Sequence, residues 1–142
     1  MRPARSVLFL PASNARAVEK ARALPCDVAI LDLEDAVAPE AKAEARAAAV
    51  EAVRSGGFRP RLGVRINGLD TSWGEADLAA LGAAGAGLVV APKVDSAEAV
   101  RALAGRVPAD AALWAMVETP AALLNLRGIA AAAAASPLEA LM

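Results

Sequence analysis

The sequence contains no histidine. That absence removes the Ser-His and Cys-His nucleophile arrangements together with the usual zinc and copper ligands. Cysteine is almost as scarce: Cys26 stands alone and cannot close an internal disulfide. With no charged-then-apolar leader at the start, that cysteine usage leads us to expect a cytoplasmic protein. An excess of either charge is missing too, since 15 Lys plus Arg against 16 Asp plus Glu leave a net charge of −1. No bulk electrostatic pull toward nucleic acid is therefore expected. Hydrophobic residues make up 57% of the chain, much of it alanine. No stretch reaches the roughly twenty uninterrupted apolar residues of a membrane-spanning helix, so no membrane association is expected.

What is present is a repeat. Apolar runs of strand length, Val7 to Leu10, Val28 to Leu33, Leu62 to Ile66, Leu88 to Ala91 and Leu113 to Val117, alternate with segments of helical spacing. Asn14 or Ser13 can cap a first helix reaching Leu24. Pro39 opens a second over Glu40 to Arg54, which Gly56 and Gly57 stop. A third fits Gly74 to Leu81, and a fourth runs from a cap at Asp95 or Ser96 to Leu103. The fifth follows Pro120 and breaks at Gly128 before the alanines to Ala135. Strands that alternate with helices are parallel, and covered on both faces they read as near-continuous Val, Ile and Leu. The fold class is α/β.

No Gly-x-Gly-x-x-Gly follows the first run, where Leu10-Pro11-Ala12-Ser13 stands instead. Polar residues at several successive strand ends favour a (β/α)8 barrel over an open doubly wound sheet. Such a barrel takes about 250 residues. Residues 1–142 are therefore expected to be the N-terminal part of one, about five βα units, with Leu138 to Met142 opening a sixth strand. The open edge that results invites pairing with another chain, so a homo-oligomer is expected.

In a parallel β/α protein the C-terminal strand ends share one rim. Four of the five runs end in charge there: Glu34 with Asp35, Arg65, Lys93 and Glu118. Alternation along Val28 to Asp35 puts Asp32 and Glu34 on one inward face. Two carboxylates about 4 Å apart at an effective dielectric near 20 repel by roughly 4 kcal/mol, so a compensating charge is required. Arg65, Lys93 or a divalent metal could supply it. Arg65 offers a planar fork suited to a substrate carboxylate. Glu118 is placed to hold a hard ion such as Mg²⁺. Lys93 is an electrostatic partner for the acids or, alternatively, a Schiff-base nucleophile.

Six segments in order carry a resemblance. Arg5-Ser6-Val7-Leu8-Phe9-Leu10-Pro11, Ile30-Leu31-Asp32-Leu33-Glu34-Asp35-Ala36-Val37, Lys42 with Arg46, Val64-Arg65-Ile66-Asn67, Ala91-Pro92-Lys93-Val94 and Val117-Glu118-Thr119-Pro120 resemble the motifs of the HpcH/HpaI aldolase and citrate lyase β-subunit family. The resemblance implies a TIM barrel and a Mg²⁺-dependent carbon–carbon lyase. Its substrate would be a 3-hydroxyacyl thioester of the citryl-CoA, citryl-acyl-carrier or malyl-CoA type, and its products a 2-oxo acid and an acetyl thioester.

By the same resemblance Glu118 is a metal ligand, Arg65 binds substrate, and Glu34 and Asp35 support the site and the metal-bound waters. Arg5 and Arg16 lie where thioester phosphates are bound in similar enzymes. A second metal ligand, an aspartate after strand six, would fall beyond Met142, and the general base would come from a C-terminal segment, so this chain alone is expected to be inactive. Two departures stand out: Ala12 after Pro11 where relatives usually have Gly, and Pro120 after Thr119 where many have Ala. The alternatives are a Schiff-base aldolase using Lys93 and a non-catalytic subunit. Other citrate lyase subunits are possible partners.

Overall fold

The computed structural model describes residues 4–142. Its six strands, β1 (Val7–Pro11), β2 (Val28–Asp32), β3 (Arg61–Arg65), β4 (Leu88–Ala91), β5 (Ala112–Ala115) and β6 (Leu138–Leu141), form one sheet in sequential order. Every neighbouring pair is parallel. The connections carry helices α1 (Ala15–Ala21), α2 (Lys42–Ser55), α3 (Gly74–Ala84), α4 (Ala97–Ala104), α5 (Pro120–Leu124) and α6 (Leu126–Ala131). Burial explains the apolar runs: all five residues of β2 and all four of β4 are buried.

The strands divide their side chains between two clusters, and this division separates a barrel from a doubly wound sheet. Leu31, Val64, Val89 and Leu113 face helix residues such as Val18, Ala49, Leu78, Val100 and Ile129. Val28, Ile30, Leu88, Val90 and Trp114 pack instead with Val7, Phe9, Ala112, Met116 and Ala140, all from strands or strand ends. Helices therefore cover one face, while on the other strand side chains pack against one another with no helix among them, as on the inner face of a barrel. A doubly wound sheet would carry helices on both.

Local signals place most element ends. Asn14 caps α1, its Oδ1 accepting from the Ala17 N–H at 3.0 Å, and Ser96 caps α4 through the Ala99 N–H at 3.1 Å. Thr119 does the same for α5, with Pro120 in the first turn. Gly56 and Gly57 end α2 with φ of 59° and 76°, the left-handed region that favours glycine. Several boundaries differ from expectation. Helix α3 runs to Ala84 rather than Leu81, and β5 ends at Ala115 rather than Val117. The first turn before α2, Pro39–Ala41, is 3₁₀. Helix α1 stops at Ala21 rather than reaching Leu24. The last helical segment breaks at Asn125, not at Gly128, which lies inside α6. Asn125 donates its side-chain amide to the Asp95 carbonyl at 2.9 Å, and that tie turns the chain there.

The β3–α3 connection folds back on itself so tightly that position 74 admits no side chain. A Cβ on Gly74 would overlap the Gly68 carbonyl oxygen and stand 2.8 Å from the Asn67 oxygen, both backbone atoms. Gly74→Ala is therefore expected to lower stability by about 2 kcal/mol or more, at the upper side of ordinary overpacking. A urea denaturation midpoint unchanged from the parent would contradict this close approach.

Candidate functional site

Register builds the centre of the site. Asp32 at the end of β2 pairs across the sheet with Arg65 at the end of β3. Both side chains lie on the interior face, 1% and 8% exposed. Arg65 donates from Nε to Asp32 Oδ1 at 2.8 Å and from Nη2 to Oδ2 at 2.5 Å, a two-pronged pair. Asp32 also accepts from the Glu34 N–H at 2.8 Å and the Ala36 N–H at 3.1 Å, which shapes the turn leaving β2. Burial alone would raise the Asp32 carboxyl; the Arg65 hydrogen bonds and charge, with the two backbone donors, outweigh it and hold the group below the usual aspartate value. The guanidinium lies 5.3 Å from the centre of the Phe9 ring, and Nη1 is 3.9 Å from the Met116 sulfur.

Around this pair the other strand ends join in. Glu34 Oε1 accepts from the Lys93 ammonium, which reaches over from the end of β4. Glu34 Oε2 stands 2.9 Å from Arg65 Nη1, close enough for an ion pair. It is buried and makes no hydrogen bond among the described residues, because the N–H groups of Nη1 are not aimed at it. Asp35 is more open, 3.7 Å from Arg65 Nη1 and 3.9 Å from Lys93 Nζ. From the segment just after β5 comes Glu118, exposed, with Oε1 accepting the Lys93 backbone N–H at 2.8 Å. The Glu34 hydrogen bond, with the charges of Glu34, Asp35 and Glu118, outweighs burial and holds the Lys93 amine above the ordinary lysine value.

Arg65, Glu34, Asp35, Lys93 and Glu118 are thus one connected cluster, and both expected cations face the paired acids. The structure places Arg65 at the rim and Arg5 away from it. The Nε–Nη2 edge of Arg65 is taken by Asp32, which leaves the Nη1–Nη2 end of the fork for a ligand, with Nη1 beside Glu34. Arg5 lies at the opposite end of the sheet, before β1, where it meets Asp27 just before β2. There the Arg5 backbone and side-chain hydrogen bonds, with those of Ser6, lower the Asp27 carboxyl to about 2. Arg16, in the first turn of α1 at the rim end, is exposed and makes no ion pair among the described residues.

Further residues hold the rim in place, among them Lys42 and Arg46, which the resemblance marks in the sequence without giving them a role. Lys42, 6% exposed, donates from Nζ to the Leu33 carbonyl at 2.7 Å and the Glu34 carbonyl at 2.6 Å. Its position in the first turn of a helix, where the macrodipole disfavours a cation, is a second signal of it in the chain. Arg46 binds the buried Asp77 at 2.6 Å, and Asp77 in turn accepts from the Asn67 backbone and side chain at 2.9 and 2.7 Å. That chain of bonds fixes the exit from β3.

A cleft of about 390 Å³ opens beside the cluster, with Glu34 and Lys93 on one wall and Leu69, Asp70 and Leu103 on others. A larger cavity of about 530 Å³ lies at the far end of the strands, lined by Arg5, Asp27, Trp114 and Glu139. Four of its charged groups are paired with each other, Arg61 with Glu139 at 2.8 Å and Arg5 with Asp27 at 3.3 Å, while Arg59 makes no ion pair among the described residues. The smaller cleft, which adjoins the rim cluster, is the candidate site.

The donor set at the rim fits magnesium. Every candidate ligand is a carboxylate oxygen, and one oxygen of Glu118 has no hydrogen bond among the described residues. No group of three or more His, Cys, Asp or Glu side chains is arranged around a common point among the described residues. This suits Mg²⁺, which keeps several waters and takes one or two protein carboxylates, and does not suit an all-protein cage.

Comparison with known proteins gives the family. The (3S)-malyl-CoA thioesterase of Cereibacter sphaeroides is 45% identical over 130 residues, which are 91% of this chain and 45% of that protein. The citrate lyase subunit β of Escherichia coli is 36% identical over 130 residues, 84% of this chain and 43% of that one. Among solved structures, the citrate lyase β subunit of Mycobacterium tuberculosis complexed with oxaloacetate and magnesium superimposes with a TM-score of 0.79. It is 36% identical, and the match covers 99% of this chain and 58% of that one. The chain spans about half the length of the curated relatives it matches. The HpcH/HpaI aldolase/citrate lyase family model matches residues 5–140, and the chain belongs to that family.

Proposed function

We propose that this chain carries the arginine and one metal-ligand carboxylate of a Mg²⁺-dependent site that cleaves the carbon–carbon bond of a 3-hydroxyacyl thioester. The products would be a 2-oxo acid and an acetyl thioester. One observation carries the reading: Arg65, Glu34, Asp35, Lys93 and Glu118, drawn from four strand ends, form a single connected cluster beside a cleft. Similarity to a malyl-CoA thioesterase and a citrate lyase subunit supports the substrate class.

In such a cleavage the hydroxyl proton leaves, the oxygen becomes the carbonyl of the 2-oxo acid, and the bonding pair passes to the α-carbon of the acetyl thioester, which takes up a proton. Glu118 would hold the metal through its open oxygen. Bound there, Mg²⁺ supplies a Lewis acid for the oxygen that changes from hydroxyl to carbonyl. The Nη1–Nη2 end of Arg65 would take the adjacent carboxylate, while Asp32 keeps the guanidinium from turning. Lys93 stays charged beside Glu34, which favours its service as an electrostatic partner. A Schiff-base attack needs the neutral amine, so no borohydride-trapped pyruvate adduct is expected at Lys93.

Hydrolysis of the thioester is the second reading, favoured by the named activity of the 45% identical relative. Both readings share the 3-hydroxyacyl thioester and the carboxylate-binding Arg65. A cytoplasmic setting, assembly with further copies and association with other citrate lyase subunits complete the proposal. No helix among the described residues is long and apolar enough to cross a membrane.

Calorimetric titration of oxaloacetate tests the site directly. Binding is expected only with Mg²⁺ present, and is expected to be lost in Glu118→Gln and in Arg65→Met. Binding without Mg²⁺, binding that survives both changes, or no binding to the parent chain would each overturn the reading.

A further inference from the structure

Lys93 is the one non-glycine residue among the described residues with a positive φ, 52°. An L-residue avoids this region because its Cβ crowds the following carbonyl. Such a conformation persists only where the surroundings fix it, and at functional sites the cause is to be sought in what the turn presents. Here the turn presents two groups at once. The backbone N–H meets Glu118 Oε1 at 2.8 Å, and the side chain runs the other way to Glu34 Oε1. The next residue, Val94, donates to the Met116 carbonyl at 3.1 Å and so ties the turn to the end of β5.

The second contact has a consequence for Arg65. Glu34 Oε2 already lies 2.9 Å from Nη1 without a hydrogen bond to it. Nη1, with the second N–H of Nη2, is also what Asp32 leaves for a ligand. With its other oxygen held by Lys93, Glu34 is kept from rotating onto Nη1. Without that hold, the glutamate would close a charge-assisted hydrogen bond there and compete with any incoming carboxylate.

We propose that Lys93 is a positioning residue with two separable tasks, its backbone amide orienting Glu118 and its ammonium keeping Glu34, which stands at ion-pair distance from Arg65, from closing a hydrogen bond onto Nη1, and that the left-handed turn lets one residue perform both. The ammonium task rests on the carboxylate-binding role proposed for Arg65; the amide task does not.

The two tasks have separate tests. Amide exchange followed by NMR reads the first: in Glu118→Ala the Lys93 N–H should exchange about tenfold faster or more, as expected for a lost charge-assisted bond, with the Val94 N–H unchanged. An unchanged Lys93 rate in a folded Glu118→Ala chain would overturn the amide task. Oxaloacetate titration at saturating Mg²⁺ reads the second. Lys93→Gly relaxes the turn and keeps the amide, so its residue-93 N–H should stay protected while oxaloacetate affinity falls about tenfold, the order of one charge-assisted bond. Lys93→Arg should recover most of that loss. Full oxaloacetate affinity in Lys93→Gly, or equal loss in Lys93→Arg and Lys93→Gly, would overturn the ammonium task. If the parent chain binds no oxaloacetate, the lyase reading fails with the ammonium task, and the exchange experiment still decides the amide task.

Discussion

Replacing Arg65 with methionine is expected to lower folding stability by about 3–5 kcal/mol at neutral pH, the range measured when one partner of a buried ion pair is removed. Arg65 is 8% exposed and compensates Asp32 and Glu34 at once, so its loss leaves two carboxylates together on the interior face, with Lys93 on Glu34 and the buried Lys42 as the remaining cations. The loss should depend on pH with a definite sign. In the parent, Asp32 titrates below the ordinary value of 3.8, so its contribution is fully present above that value and fades as pH falls through the folded pKa. In Arg65→Met the same carboxyl has burial and a neighbouring acid without the guanidinium, and its pKa moves upward instead. The folded variant then binds protons more readily than its unfolded chain, and its stability falls as pH rises. Chemical denaturation at pH 7, 5 and 4 should therefore show the gap between parent and variant narrowing toward acid. The double change Asp32→Asn with Arg65→Met should recover part of the loss, since a neutral pair is often tolerated where a lone buried charge is not. A gap constant across that range would mean that Asp32 and Arg65 are not the coupled pair the geometry shows.

The legible part of this fold is the part governed by periodicity. β2 and β4 read as continuous apolar runs because both their faces are buried, and the alternation along β2 is enough to place Asp32 and Glu34 on one face. The need for a compensating charge follows from Coulomb's law, and Arg65 and Lys93 supply it. Which cation meets which acid is not legible in the chain, because that depends on side-chain reach across three strands. The choice between barrel and doubly wound sheet also lies beyond the pattern alone, since buried strands look alike in both. Only the sorting of Val28, Ile30, Leu88, Val90 and Trp114 into a cluster without helices separates them. Arg5 is a different kind of miss. It precedes β1, and in a parallel sheet whatever precedes a strand lies at the end away from the rim, so its place beside Asp27 follows from its position in the chain.

Lys42 is a residue of the rim to which the sequence gives no role, and its replacement by methionine is expected to cost about 3 kcal/mol. Its ammonium donates to the carbonyls of Leu33 and Glu34 at 2.7 and 2.6 Å inside the protein. Hydrogen bonds from a charged donor contribute roughly 1.5–3 kcal/mol each, and carbonyls left bare in the interior add their own penalty. Burial lowers the Lys42 amine below the usual 10.5, and the charges of Asp32, Glu34, Asp77 and Asp35 only partly restore it. The native protein thus gives up this proton before the unfolded chain does, so between the folded pKa and 10.5 the unfolded chain holds more protons and stability gains with rising pH. Denaturant midpoints from pH 8 to 10.5 should show that upward contribution in the parent and lack it in Lys42→Met, so the difference between them widens on the alkaline side. Because the two carbonyls belong to the residues that carry Glu34 to the rim, Lys42→Met should also weaken oxaloacetate binding at temperatures where the variant is fully folded. Intact binding with lowered stability would confine Lys42 to the scaffold, whereas loss of both would show that the bend after β2, and with it the reach of Glu34 toward Arg65 and Lys93, is set from beneath by a buried cation.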